Sequence, residues 1–481
     1  MTNDTIDPRW AWGRYRPSDD APWDVKRAGH LLRRATFGTT DAELQAAVDA
    51  GPDRAIDQLL AGRPDAAGDA LFAAMSRSAT QNNNADQLPA LWLFRCLYGT
   101  HPLREKLTLF WHNHFATSNL KVRNAGAMLG QYELMRRHAQ GSFRELLVEM
   151  SRDPAMMVWL DTVLSSRRQP NENYARELME LFSLGIDHPT RPGQRNYSEA
   201  DVREAARAFT GLRLEAGRAV FQANLHDAGE KNILGQRGRF QADDVVRICL
   251  EQEAAAYFVC RKLFKFLVSD AITPTAELLG PLAVEFRRGD YDFGALVERV
   301  LRSNLFFSPQ AYRTKIKPPI DFALGIVRAL EGHGSGEGRR GIGSVELSKA
   351  LEGLGQRLFH PPSVAGWEGG PAWLNGQTFL LRQNLALGLT STTDDRFGRR
   401  TDPAALARRR GLRTGAEQVD FFLRLFLQND VSAEARGRLL DYASNTGRQA
   451  YPAFWSPADA ADQRVRALCH LTLCLPEFQL G

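Results

Sequence analysis

The sequence predicts a mainly α-helical fold: a single large multi-helix domain with long loops and at most a small β-hairpin. Three observations predict it. Helix start and stop signals recur from end to end, and alternating β-branched runs are nearly absent. The composition, 43% hydrophobic and 24% charged, is that of an ordinary globular chain able to bury a core.

The helical signals can be taken in order. In residues 40–50 (TDAELQAAVDA), Thr40 can cap, Glu43 follows three positions later, and Gly51 stops the helix. Pro102 and Pro274 sit where a first turn tolerates proline. Within residues 103–115 (LREKLTLFWHNHF), a helix places Leu103, Leu107, Phe110 and His114 on one face. In residues 171–182 (NENYARELMELF), Asn171 is the expected cap and Glu172 suits the helix dipole. Tyr174, Leu178, Leu181 and Phe182 form its apolar stripe. Asn173, Glu177 and Glu180 form a polar line beside it, with Arg176 and Glu180 spaced as an i, i+4 pair. Residues 198–211 repeat the capped design with Ser198, Asp201 and Gly211. Residues 243–269 and 419–427 are further helical segments, and residues 212–221 are read as a short hairpin turning near Gly217. Loops are expected near residues 62–88, 332–344 and 390–413. Residues 1–22 read as an N-terminal extension and 23–481 as one helical body, with no repeat that would make a solenoid.

Composition also narrows function. The 61 basic residues are nearly matched by 56 acidic ones, and arginine is scattered rather than gathered on one element, which argues against a nucleic-acid binder. Five cysteines without a short CxxC spacing read as reduced, buried thiols. The amino terminus lacks a basic start followed by an apolar run, and no apolar stretch approaches the ~20 residues of a membrane span, so a cytoplasmic location is expected. Phosphate-loop, dinucleotide, zinc-helix and nucleophile-elbow motifs are all missing.

Four polar blocks remain, each with two readings. His112 and His114 lie ~200° apart on a helix, so they grip one metal ion only if the helix ends before Trp111; otherwise His114 is a core or pocket histidine. The Asn173–Glu177–Glu180 line is a solvated face, or a groove whose carboxylates bind a cation or act as acid and base. His226 and Asp227, in residues 225–235 (LHDAGEKNILG), supply a metal ligand and its neighbour, or a capped turn. Residues 358–375, with His360 and Trp367, form a rigid loop that closes over a pocket or packs on the body.

These blocks carry a resemblance. HLLRRATFG, LTLFWHNHFATSNLKV, NENYARELMELFSLG, YSEADVREAARAFTG, HDAGEKNILG, FHPPSVAGW and the closing LPEFQLG, in this order, resemble the bacterial family catalogued as domain of unknown function 1800. The family's activity is not established, so the resemblance assigns no catalytic residue. It implies a large bacterial protein of a kind often exported, encoded beside an uncharacterised sulfatase-like family that is a candidate partner. It also marks His112, His114, Glu172, Arg176, Glu177, Glu180, His226, Asp227 and His360 as the positions for a site.

The expectation is a polar His/Glu/Arg pocket for metal-assisted or acid–base chemistry. Glu177, Glu180, His114 and Arg176 take the catalytic roles, and His112, His226 and Asp227 would hold a divalent metal, the cofactor itself being unassigned. The alternative is a non-enzymatic assembly or accessory protein whose polar motifs are interhelical salt bridges and caps.

Overall fold

Helix Pro102–His114 is buried along nearly its whole length and forms the wall between two hydrophobic cores. Its Leu103, Leu107, Phe110 and Trp111 belong to one core, and Leu109 to the other. A helix buried on every side has to neutralise the charges it carries inside. Glu105 does so with Arg136 at 2.6 Å and Tyr132 at 2.9 Å, and Lys106 with Asp321 at 2.5 Å.

The computed structural model describes residues 6–333, 343–392, 394, 396, 397, 400–444 and 457–481. It is mainly helical, with two separate two-stranded antiparallel sheets. The hairpin over Leu212–Glu215 and Arg218–Phe221 turns through Ala216 and Gly217, as its sequence predicts. A second hairpin, Lys231–Ile233 with Gln236–Gly238, occupies part of the segment read as a turn or loop; Leu234 and Gly235, both at positive φ, make its turn. No helix among the described residues is long and apolar enough to cross a membrane.

Two of the expected caps form as reciprocal capping boxes, Thr40 with Glu43 and Ser198 with Asp201. Gly51 breaks the first of these helices at φ +77°, but Pro52 restarts it at once and the helix runs on to Ala61. Residues 243–269 are likewise two helices, Ala242–Glu251 and Glu253–Leu263, parted at the extended Gln252. Pro274 lies one residue ahead of the Thr275 cap rather than in the first turn.

One expected loop is largely helical, and another holds a short helix. Residues 62–88 contain helix Ala66–Gln81, started by the Asp65 carboxylate on the Gly68 N–H and anchored by buried Phe72, Ser76 and Ala79. Its alanine-rich composition is strongly helix-forming. Residues 390–413 contain helix Pro403–Arg409, capped by Asp402. Most of the glycine-rich stretch 332–344 lies outside the described residues.

The largest departure concerns residues 171–182. The α-helix covers only Asn173–Glu177 and continues as a π-helix over Leu178–Ser183. Asn171 accepts from the Asn173 N–H at 2.9 Å and so shapes the first turn from just outside it. A second π segment, Phe264–Val268, follows helix Glu253–Leu263. Widened turns of this kind are rare and are frequently found at functional sites.

Candidate functional site

The two π segments contribute to the walls of one cavity of about 600 Å³. Glu180 and Leu181 come from the first, Lys265 and Phe266 from the second. Helix Val25–Ala35 adds Arg33 and Arg34, and the central helix adds Lys106, Asn113 and His114. Lys315 and Lys317 project from an extended segment whose Ile316 bridges Leu480, which brings the chain's closing residues to the cavity. Two residues apart in extended backbone, those lysines share a face.

Charge is the cavity's dominant property. Arg33, Arg34, Lys106, Lys262, Lys315 and Lys317 are buried or half-buried around it. Two of them have carboxylate partners in the wall: Lys106 sits on Asp321 at 2.5 Å and Lys315 on Asp270 at 2.6 Å. Arg34 is 3% exposed; Nη2 donates to the Ala311 carbonyl at 2.6 Å, while Nε and Nη1 reach no acceptor among the described residues. Burial and then the Arg33 charge lower its pKa to about 9. Lys317 donates to the Phe478 carbonyl at 2.7 Å, and burial, followed by Arg33 and Arg313, holds its pKa well below the ordinary lysine value. Burying cations without counter-charge costs several kcal/mol each. Asp321 acts on both Arg34 and Lys317 from nearby, and Asp270 on Arg34, without forming an ion pair with either.

A second constellation surrounds His114. Its Nε2 lies 3.0 Å from the Phe182 carbonyl and its Nδ1 3.2 Å from Lys262 Nζ. Lys262 also donates to the Leu181 carbonyl at 3.0 Å. Both carbonyls belong to the last turn of the π-helix, where no further helical N–H exists to meet them. Burial pulls the pKa of Lys262 down to about 7; burial and then Lys262 hold that of His114 well below 6.5. Glu180, in the same cavity wall, accepts from the Tyr197 hydroxyl at 2.9 Å.

The loop 365–370 closes one side. Asn113 Oδ1 accepts from the Trp367 N–H at 2.7 Å, and its Nδ2 donates to the Trp367 carbonyl at 3.3 Å. Gly366 lies at φ +81°, and a Cβ there would stand 2.3 Å from Asn113 Oδ1 and 2.6 Å from the Asn113 carbonyl. Only glycine lets the loop approach this closely. Of the two readings of that loop, the structure therefore has it bordering a cavity.

A family model described as a protein of unknown function (DUF1800) matches residues 30–480. The chain belongs to the DUF1800 family. No curated protein and no solved structure matches it. Five of the seven blocks that carry the family resemblance supply residues to the cavity wall, from HLLRRATFG to LPEFQLG. The YSEADVREAARAFTG and HDAGEKNILG blocks do not.

Among the nine positions marked for a site, His114 and Glu180 line the cavity, and the other seven do not. Helix Pro102–His114 runs through both histidines, so the extended His-x-His geometry is not formed. His112 points into the other core, where Nε2 accepts from the Phe359 N–H at 3.1 Å. His360 lies beside that same segment, with Nδ1 at 3.1 Å from the Leu358 carbonyl. Arg176 pairs with Glu199 at 2.8 Å and Glu172 at 3.1 Å rather than with Glu180, because the π turn rotates Glu180 away. Glu177 is half-buried outside the lining, and burial followed by Glu180 raises its carboxyl pKa. His226 is held by the Thr210 carbonyl at 2.9 Å, and Asp227 by Arg207 at 2.7 Å, an arrangement that ties the second hairpin to helix Glu199–Ala208. Among the described residues no group of three or more His, Cys, Asp or Glu side chains is placed to hold a metal ion. The arginines of residues 390–413 are largely spoken for: Arg396 pairs with Asp394, Arg408 with Asp462, and Arg409 and Arg410 with Glu331.

Sequence reasoning missed Arg34, Lys262, Lys315 and Lys317. A signal existed: RKLFKFLV sets two lysines inside an apolar run, and KIKPP sets two at a spacing of two. Neither is how a solvated face is usually written.

Proposed function

We propose that this DUF1800 protein binds an organic anion, a carboxylate, phosphate or sulfate ester, in the cationic cavity and carries out acid–base chemistry on it. The observation that carries the reading is Arg34, buried in the same cavity wall as Lys317, with two guanidinium nitrogens, Nε and Nη1, that reach no acceptor among the described residues. Guanidinium is the group best suited to bidentate recognition of carboxylate and phosphate. Glu180 and the Lys262–His114 pair supply the proton-transferring groups, with Glu180 anchored by Tyr197. The volume suits a metabolite-sized ligand, in the usual ~300–1,000 Å³ range for small-molecule sites.

Calorimetric titration with phosphate, sulfate and a dicarboxylate at fixed ionic strength tests the reading. Saturable binding that falls at least tenfold in Arg34→Gln supports it. Heats that are absent, or equal in the two proteins, refute it.

A further inference from the structure

The chain has nine lysines against 52 arginines, and five of the nine, Lys106, Lys262, Lys265, Lys315 and Lys317, line this one cavity. Arginine keeps its proton in proteins, whereas lysine surrenders it when desolvated. In a chain that uses arginine for most of its positive charge, a cluster of lysines in one cavity places there amines that can lose their protons.

Lys262 is the one whose surroundings fit the neutral amine. Lys106 and Lys315 are bound to carboxylates, Lys265 is exposed, and Lys317 donates to the Phe478 carbonyl with no second acceptor among the described residues. Lys262 has two acceptors, His114 Nδ1 and the Leu181 carbonyl. The Phe182 carbonyl takes the hydrogen on His114 Nε2, which leaves Nδ1 as a lone-pair acceptor. A neutral amine has two N–H bonds to give, and these two acceptors use both. The remaining tetrahedral position on Nζ is then its lone pair. Apolar Phe258, 4.8 Å away, completes the local wall, and no carboxylate pairs with Nζ among the described residues.

We propose that Lys262 is a nucleophile that forms a Schiff base with a carbonyl compound carrying an anionic group, a 2-oxo acid being the simplest case; this rests on the anion-binding reading of the same cavity. Nζ attacks the carbonyl carbon and gives up one of its two protons as the carbonyl oxygen takes one up, which gives a neutral carbinolamine. The hydroxyl then leaves as water on receiving a second proton, and the C=N bond forms with nitrogen carrying the positive charge. No electron is gained or lost. Glu180, adjacent in sequence to the Leu181 carbonyl that holds Lys262 and lining the same cavity, is the group to relay these protons. Arg34 and Lys317 receive the substrate's anionic end. His114 acts as a positioning residue, holding the amine in its nucleophilic orientation.

The test uses the full-length wild-type protein with pyruvate and sodium borohydride, which reduces an imine to a stable secondary amine, followed by intact mass and peptide mapping. Expected is one adduct, heavier by the mass of pyruvate less one oxygen atom, on Lys262. It should be suppressed by competing sulfate, absent in Lys262→Arg, and at least tenfold slower in Arg34→Gln. Acetone, the same carbonyl without the carboxylate, serves as the second probe. Trapping of acetone at Lys262 as efficient as that of pyruvate would keep the nucleophile and overturn the anion reading. Anion binding by calorimetry with no Lys262 adduct would overturn the nucleophile and keep the anion reading. Labelling of Lys317, or of Lys262 no faster than exposed Lys349, also overturns the proposal.

Discussion

Lys262 Nζ and His114 Nδ1 lie 3.2 Å apart, and each sets the protonation state of the other. With its Nε2 hydrogen committed to the Phe182 carbonyl, His114 can only accept at Nδ1, so an imidazolium is excluded while Lys262 donates to it.

The pair should be visible in the pH dependence of stability. Burial lowers the pKa of Lys262 from 10.5 to about 7, so between those values the unfolded chain binds a proton that the folded one does not. Stability from this group therefore rises with pH across that window, by up to about 1.4 kcal/mol per pH unit. Denaturant midpoints measured from pH 7 to 10 should climb less steeply in Lys262→Met than in the wild type. Equal slopes would mean that Lys262 keeps its proton throughout.

The acid side depends on His114. Its pKa is held well below 6.5, so the folded state refuses a proton that the unfolded state accepts as pH falls through 6.5. Stability is lost in that direction. Replacing His114 with Gln should flatten the acid limb of the stability profile below pH 6.5, checked by thermal melts between pH 5 and 7.

Lys106 and Asp321 form a buried pair, with side chains 4% and 16% exposed. Removing one partner strands the other's charge, at a cost of about 3–5 kcal/mol. Asp321→Asn should be destabilised on that scale by urea denaturation. The double variant Lys106→Met with Asp321→Leu should recover much of the loss, because neither charge then remains.

Gly366→Ala should cost about 1–3 kcal/mol, since the new methyl meets Asn113 within 2.6 Å on a left-handed backbone. It should also weaken ligand binding by displacing the loop around Trp367, which the same calorimetric titration reads.

Arg176 and Asp227 were nominated from the sequence, and the structure gives them neighbours that are structural. Arg176→Ala should leave both stability and anion affinity unchanged, because its pairs with Glu172 and Glu199 are exposed. Asp227→Ala should lose about 1–3 kcal/mol of stability by freeing Arg207 and the second hairpin, again with unchanged affinity. A loss of affinity in either variant would show that the cavity is not the whole site.

Much of the fold was legible because capping is local chemistry: Thr40 with Glu43, and Ser198 with Asp201, need nothing beyond four residues of chain. The site was half legible. His114 stood out as a polar residue on an apolar stripe. Glu180 lies on the expected polar line and lines the cavity, but its expected pairing with Arg176 is not formed, since the i, i+4 spacing assumes ~100° per residue and the turn at Leu178–Ser183 is a π turn. The cations escaped notice for a different reason. Arg34 follows Arg33 in a string that reads as surface, and only the packing of Ala311 and the chain's closing residues puts it inside. Burial of that kind comes from contacts hundreds of residues apart, which no local pattern records.

The most direct test of the cationic cavity is anomalous diffraction from crystals soaked in selenate, a sulfate analogue whose selenium can be located without ambiguity. The account predicts its strongest peak inside the cavity, within hydrogen-bonding reach of Arg34 and Lys317, and its loss in Arg34→Gln. Selenium found only on surface arginines, with the cavity bare, would contradict it.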